Sequence, residues 1–193
     1  MVRNLNDVIA QGYSLGKQLG VYIPDLIREI NSHKHSYFMG RDMDVFYLAL
    51  KKYFPDKVRY ISGLNRENTG KLFRRGKLKN YFLSFGVGKD DFVVDSGYRG
   101  TIFQSLQDSG VQADFCLLTT HEECIVGRNI NIYLNMCRPT ILALEHSQKR
   151  EHVSWNYSKR IPRIEIKNET AINKFYDGVT MAIEGAIEKE VQK

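Results

Sequence analysis

The chain has little that would commit it to a membrane, a secretory route or a metal cage. Nothing in its 193 residues approaches the roughly 20 consecutive apolar residues that a spanning helix needs. The first residues, MVRNLNDVIAQ, lack the apolar core of roughly 7 to 15 residues that a signal peptide carries, so a cytosolic location is expected. Cysteine is scarce. Cys116, Cys124 and Cys137 are odd in number and show no CxxC spacing, which argues for reduced, semi-buried thiols over a zinc site or a disulfide framework. Low-complexity linkers are missing too, and a single domain over residues 1–193 is the economical reading. What is present suits a folded core: 42% hydrophobic residues against 26% charged ones exclude a disordered tail.

Charge is biased without being extreme. The 28 Lys and Arg outnumber the 22 Asp and Glu, giving a formal +6 that fits nucleic acid, phosphorylated substrates or anionic lipid headgroups equally well. Its distribution is more telling, because Arg66, Lys71, Arg74, Arg75, Lys77 and Lys79 crowd one glycine-punctuated segment.

Periodicity gives the organisation. Asn6 to Asn31 reads as helical pieces broken around Gly20 and Pro24, an outer helical layer. Ser36 to Gly40 reads as a short strand, Val45 to Tyr53 as a helix with Val45, Leu48, Ala49 and Tyr53 on one face, and Val58 to Ile61 as the next strand. The order recurs in Phe92 to Asp95 as a strand, Ser96 to Thr101 as a tight loop, Ile102 to Asp108 as a helix and Ala113 to Thr119 as a strand. Two such units predict an α/β fold with a Rossmann-like parallel sheet flanked by helices. Ile130 to Met136 and Thr140 to Leu144 are further candidate strands. Ala171 to Val191 carries a helical stripe of Ile172, Phe175, Val179, Ile183 and Ile187 after a cap at Asn168 or Thr170.

Ligands of open parallel sheets bind outside the carboxyl ends of the strands. Three such ends are polar: Gly40-Arg41-Asp42-Met43-Asp44, Ser62-Gly63-Leu64-Asn65-Arg66 and Asp95-Ser96-Gly97-Tyr98-Arg99-Gly100-Thr101. In the third, an acid at a strand end precedes two glycines, an arginine and a hydroxyl just before a helix. Glycines let backbone N–H groups approach an anion, and a helix N-terminus adds positive partial charge, so this segment is built like a phosphate cradle. The GxxxxGK[ST] pattern is absent.

Val93-Val94-Asp95 followed by Ser96 to Thr101 resembles the phosphoribosyl-diphosphate signature of type I phosphoribosyltransferases, with Val94 where that family carries its first acid and Arg99-Gly100-Thr101 where threonine-glycine-x-threonine is typical. The Gly40-Arg41 turn is similar to the family's pyrophosphate loop, and the basic stretch Asn65 to Asp91 sits where its hood loop lies. Taken with Gly16 to Pro24, Tyr37 to Asp42 and Tyr60-Ile61-Ser62, nearly the whole chain resembles the glycan phosphoribosyltransferases of bacterial polysaccharide clusters. The resemblance implies transfer of 5-phosphoribose from phosphoribosyl diphosphate (PRPP) to a sugar hydroxyl of a glycan or lipid-linked glycan, with Mg2+ as cofactor and a separate haloacid-dehalogenase-type phosphatase as partner. It implies Asp95 for ribose or metal contact, and Ser96, Gly97, Arg99, Gly100 and Thr101, with Ser62, for phosphate. Arg41, with Arg66, Arg74 or Arg75, would neutralise diphosphate, and Asp42 or Asp44 would act as base. Nucleic acid is not expected under this reading. The expected location is the cytoplasm, extending to peripheral association with the inner face of the membrane.

Other readings stand beside it. Asp42-x-Asp44, Ser62 and Asp95 also mimic the dehalogenase-type phosphatase set, although the short span from Asp44 to the next strand leaves room for one helix and no flap. The basic segment alone suits an RNA- or anionic-lipid-binding module. Asp42 or Asp44 could simply cap the following helix. His121, Glu122 and Cys124 match no common metal spacing, Trp155 with Tyr157 reads as a core anchor before a sugar platform, and His33, His35, His146 and His152 show no pattern.

Overall fold

The computed structural model describes residues 4–40, 43–61, 66–98, 101–120, 132–133 and 169–193. The described residues fall into two compact units, Asp25–Met136 and a second unit formed by Met1–Pro24 with Cys137–Lys193.

The larger unit is an α/β sheet domain. Its elements in chain order are α2 (Ile23–Ser32), β1 (Ser36–Met39), α3 (Asp44–Tyr53), β2 (Val58–Ile61), α4 (Arg66–Arg74), α5 (Leu78–Ser84), β3 (Phe92–Tyr98), α6 (Thr101–Asp108), β4 (Asp114–Thr120) and the two-residue β5 (Ile132–Tyr133). The strands pair in parallel in the order β2-β1-β3-β4-β5. This is the parallel α/β architecture that the alternating strand and helix pattern predicts. β1 is buried along its whole length, as a central strand with both faces covered must be, whereas the edge strand β2 exposes Arg59.

Alternation divides the core. Tyr37, Met39, Ile61, Val93, Phe115 and Leu117 turn to one face and pack with Leu78 and Phe82 of α5 and Phe103 and Leu106 of α6. On the other face, α3 covers β1 and β2 with Phe46, Ala49 and Leu50 buried. Leu48, expected on that inward face, is 59% exposed, because the buried stripe of α3 is Val45, Phe46, Ala49 and Leu50 and Leu48 faces away from it.

Glycine ends three of the helices in the same way. At Gly76, Gly86 and Gly110, all with positive φ, the glycine N–H donates three residues back and the next N–H donates five residues back, the Schellman geometry that only glycine adopts without strain. The following residue then drops into the core after α5 and α6: Val87 joins Phe82, and Val111 joins Leu106. The basic stretch expected as a hood loop is thus two capped helices, α4 and α5.

One further boundary differs from the sequence expectation. β3 runs on to Tyr98 and α6 begins at Thr101, so Ser96, Gly97 and Tyr98 of the predicted loop are strand residues, because Gly97 and Tyr98 keep their pairing with Thr119 and Thr120 of β4. Of the predicted strand 130–136, Ile132 and Tyr133 are strand β5, and the remaining residues lie outside the described ones. The candidate strand 140–144, Trp155, Tyr157, His121, Glu122, Cys124, Cys137, His146 and His152 lie outside the described residues. Cys116 is fully buried, and burial, with the nearby charges of Glu29 and Asp95, pushes its thiol up and keeps it protonated and unreactive.

The smaller unit pairs α1 (Leu5–Gly20) with α7 (Glu169–Val191), which run in the same direction. Gly12, Gly16 and Gly20 of α1 meet Phe175, Val179 with Ala182, and Ala186 of α7, while Gly178 meets Ile9 and Tyr13. The backbones touch. A Cβ on Gly12 would lie 1.9 Å from the Phe175 carbonyl oxygen, and one on Gly178 would lie 2.1 Å from that of Ile9. The expected stripe is present, with Phe175, Val179, Ile183 and Ile187 buried, but Thr170 sits inside the helix and does not cap it. Asn4 caps α1 through its side chain, which accepts from the Asn6 N–H at 3.1 Å.

Because Gly12 and Gly178 face backbone, replacing either by alanine (Gly12→Ala or Gly178→Ala) should cost about 1–3 kcal/mol by overpacking. Gly185→Ala, in the same helix α7 but with nothing within 4 Å of its Cβ position, should instead gain about 0.5–1 kcal/mol. Denaturant unfolding of the three variants checks both signs.

Candidate functional site

The carboxyl ends of β2, β1 and β3 lie side by side, since these strands are neighbours and run the same way. From β1 the chain passes through α3 to β2 on one side; from β3 it passes through α6 to β4 on the other. The winding therefore reverses between β1 and β3. Such a reversal opens a crevice outside the strand ends, because the two connections diverge there. Helices α3, α4 and α6 each follow one of these strand ends, so their positive N-terminal ends share the same edge of the sheet.

The strands around the crevice are staggered. Pairing of β1 with β3 ends at Phe38 and Val94, whereas β3 stays paired with β4 through Tyr98. At the usual rise per residue, the segment from Asp95 to Tyr98 projects about 13 Å beyond the last β1 pair. At the end of β1, Gly40 adopts φ 66°, and its N–H donates to the Ile61 carbonyl at 3.0 Å, tying the ends of β1 and β2 together. A side chain at Gly40 would strain that turn.

The fold sorts the sequence candidates as follows. Asp95 is half-buried opposite Leu117, and alternation directs it toward the α5–α6 face; its Oδ1 accepts from the Ser96 N–H at 2.9 Å. Ser96 is corrected from a loop residue to a strand residue only 4% exposed, and it points to the opposite face from Asp95. Gly97 is likewise a strand residue, paired with Thr119. Thr101 is the first residue of α6 and Arg66 the first of α4. Asp44 is the first helical residue of α3, with Met43 at the cap position, so Asp44 does not cap that helix; its charge lies in the first turn, where the helix dipole favours it. Arg41, Asp42, Ser62, Arg99 and Gly100 lie outside the described residues, in the connections that leave β1, β2 and β3.

The rest of the basic segment belongs elsewhere. Tyr37, near the start of β1, donates its hydroxyl to the Phe85 carbonyl at 3.0 Å, which holds the end of α5 against the amino-terminal half of the sheet. The Lys79 ammonium lies 3.6 Å from the Cβ position of Gly110, at the far end of α6. Arg74 and Arg75, at the end of α4, therefore lie away from the crevice edge where α4 begins, and the expectation that they neutralise diphosphate is not supported by this geometry.

That opposite edge is held by two histidine–carboxylate contacts that sequence reasoning missed. His33 Nε2 lies 3.0 Å from Asp114 Oδ2, and Nδ1 lies 2.7 Å from the Glu29 carbonyl oxygen, while the ring stacks on Phe92. His35 Nδ1 lies 3.1 Å from Oδ1 of buried Asp91, whose Oδ2 accepts from the Gly88 N–H at 2.8 Å. The Lys57 ammonium donates to the carbonyls of Ile30, Asn31 and His33 at 3.1, 2.8 and 3.1 Å, closing the end of α2. No local motif announces these contacts, since the partner carboxylates lie 81 and 56 residues downstream. They brace the fold at the edge remote from the crevice.

Comparison with family models, curated proteins and solved structures finds no match. Among the described residues, no helix is long and apolar enough to cross a membrane.

For His33, burial works against the charged ring, but the Asp114 hydrogen bond, the Glu29 carbonyl and the charges of Asp114 and Glu29 outweigh it and raise the pKa above 6.5. The folded protein thus holds this proton more tightly than the unfolded chain. Its stabilising contribution is complete below about pH 6.5 and is lost as pH rises through the raised value. Thermal melts from pH 5 to 9 should show this loss, and Asp114→Asn should flatten it.

Proposed function

We propose that the chain is a PRPP-dependent glycan phosphoribosyltransferase acting at the crevice between β1 and β3. The observation that supports this reading is the reversal of winding there: the Gly40-Arg41-Asp42 turn and the Arg99-Gly100 connection leave neighbouring parallel strands, and the second leads directly into the N-terminus of α6. Arg99, Gly100 and Thr101 hold the 5-phosphate with the backbone N–H groups of that helix end. Arg41 neutralises the diphosphate, together with Arg66 at the start of α4. Asp95 contacts the ribose hydroxyls.

The half-exposed Asp95 carboxylate suits Mg2+ held by one or two carboxylates and completed by substrate oxygens and water. Among the described residues there is no group of three His, Cys, Asp or Glu that could form an all-protein cage. When bound, the cation supplies charge neutralisation at the diphosphate. In the reaction, the bond from ribose C1 to the diphosphate oxygen breaks, C1 joins the acceptor hydroxyl oxygen, and the hydroxyl proton passes to Asp42. The transition state is oxocarbenium-like, so the residues act by positioning the reactants and neutralising the departing charge.

The phosphatase alternative has weaker support. Between β1 and β2 the described residues form one helix and a turn, without the strand-like flap that such phosphatases carry after the first aspartate.

PRPP with Mg2+ should raise the melting temperature, and with a suitable glycan acceptor the protein should release pyrophosphate. Asp95→Asn and Arg99→Ala should each slow that release by about 100-fold or more at unchanged melting temperature without ligand. Absence of any thermal shift with PRPP, or full activity in both variants, refutes the assignment. Hydrolysis of p-nitrophenyl phosphate that disappears in Asp42→Asn would replace it with the phosphatase.

A further inference from the structure

The turn between α4 and α5 carries a cationic surface that the crevice does not use. From residue 68 to residue 88 the sequence contains Lys71, Arg74, Arg75, Lys77 and Lys79 and no acidic residue. All five are exposed, and among the described residues no carboxylate lies within ion-pair distance of Arg74, Arg75, Lys77 or Lys79. The space at its apex is open: a Cβ on Gly76 would meet nothing within 4 Å. Its shape is nonetheless fixed. The Gly76 and Lys77 N–H groups close the end of α4 at 2.9 Å each, and Leu78 and Phe82 anchor α5 in the core.

Apolar side chains stand among these charges. Phe73 is 40% exposed beside Arg74, and Leu83 is 51% exposed one turn beyond Lys79 on the same side of α5. Uncompensated cations attract any polyanion. A polyanion such as RNA gains by stacking on an aromatic ring, but it has no use for an exposed leucine. A bilayer surface uses both, because anionic headgroups neutralise the cations while phenylalanine and leucine enter the boundary between headgroups and acyl chains.

We infer that the α4–α5 turn is a docking surface for an anionic lipid bilayer, with Arg74, Arg75 and Lys77 contacting headgroups and Phe73 and Leu83 entering the interface. This inference is independent of the transferase reading, since none of these residues belongs to the crevice. Docking through this turn leaves the edge bearing Gly40 and Asp95 on the side of the sheet away from the turn.

Flotation with phosphatidylcholine vesicles, with and without phosphatidylglycerol, tests it on the full chain. The protein should float with the phosphatidylglycerol vesicles, remain behind with phosphatidylcholine alone, and detach as salt is raised. Replacing Arg74, Arg75 and Lys77 together by glutamine should weaken partitioning by about 100-fold or more, at roughly a tenfold factor or less per cation. Phe73→Ser with Leu83→Ser should weaken it further, with the salt dependence kept. Melting temperatures of the variants, all at exposed positions, verify folding. No binding to anionic vesicles at low salt, or undiminished binding by the glutamine variant, overturns the inference. So does undiminished binding by the serine variant, or tighter binding to a single-stranded RNA oligonucleotide than to vesicles.

Discussion

The position of β1 between β2 and β3 is the constraint from which the rest of the larger unit follows. A central parallel strand must have helices on both faces, so β1 is buried along its length and the chain must cross above and below it. Because β2 is added on one side and β3 on the other, the connections leaving β1 and β3 separate and leave a crevice between them. The stagger deepens it: β3 and β4 continue together after β1 has turned away at Gly40. The crevice is therefore a product of strand order, and any chemistry there depends on this pairing.

The two edges of the sheet are built for different purposes. At the carboxyl edge, polar residues follow the strands and helix N-termini begin. At the amino edge, His33 with Asp114, His35 with Asp91, and Lys57 on three carbonyls satisfy polar groups internally. Buried polar groups satisfied in this way fix a structure more than they bind ligands, since each is already engaged.

How much was legible in the sequence varied with the range of the interaction. The α/β class was readable because short apolar runs such as Ser36 to Met39 and Val58 to Ile61 alternate with helical stripes, and that patterning is local. The end of α1 was readable because glycine marked it at Gly20. The end of β3 was not readable. Ser96 and Gly97 look like loop residues, yet pairing with β4 holds them in the sheet, and a partner strand leaves no local trace. The helical nature of α4 and α5 was hidden for the opposite reason: surface cations and glycine resemble a loop, while the anchors Leu78 and Phe82 are few. The candidate edge could be found because strand ends followed by Gly and Arg recur three times, two of them with Asp. The far position of Arg74 and Arg75 could not, because it depends on the direction of α4.

The glycine seam joining α1 to α7 has a consequence for the order in which the protein assembles. Its two halves are far apart in the sequence, and contacts of such long range form late because the intervening chain must first be restrained. A ribosome would release the sheet long before it released α7. Until then the notched face of α1 lacks the helix that matches it, leaving a growing polypeptide in which α1 must wait for α7.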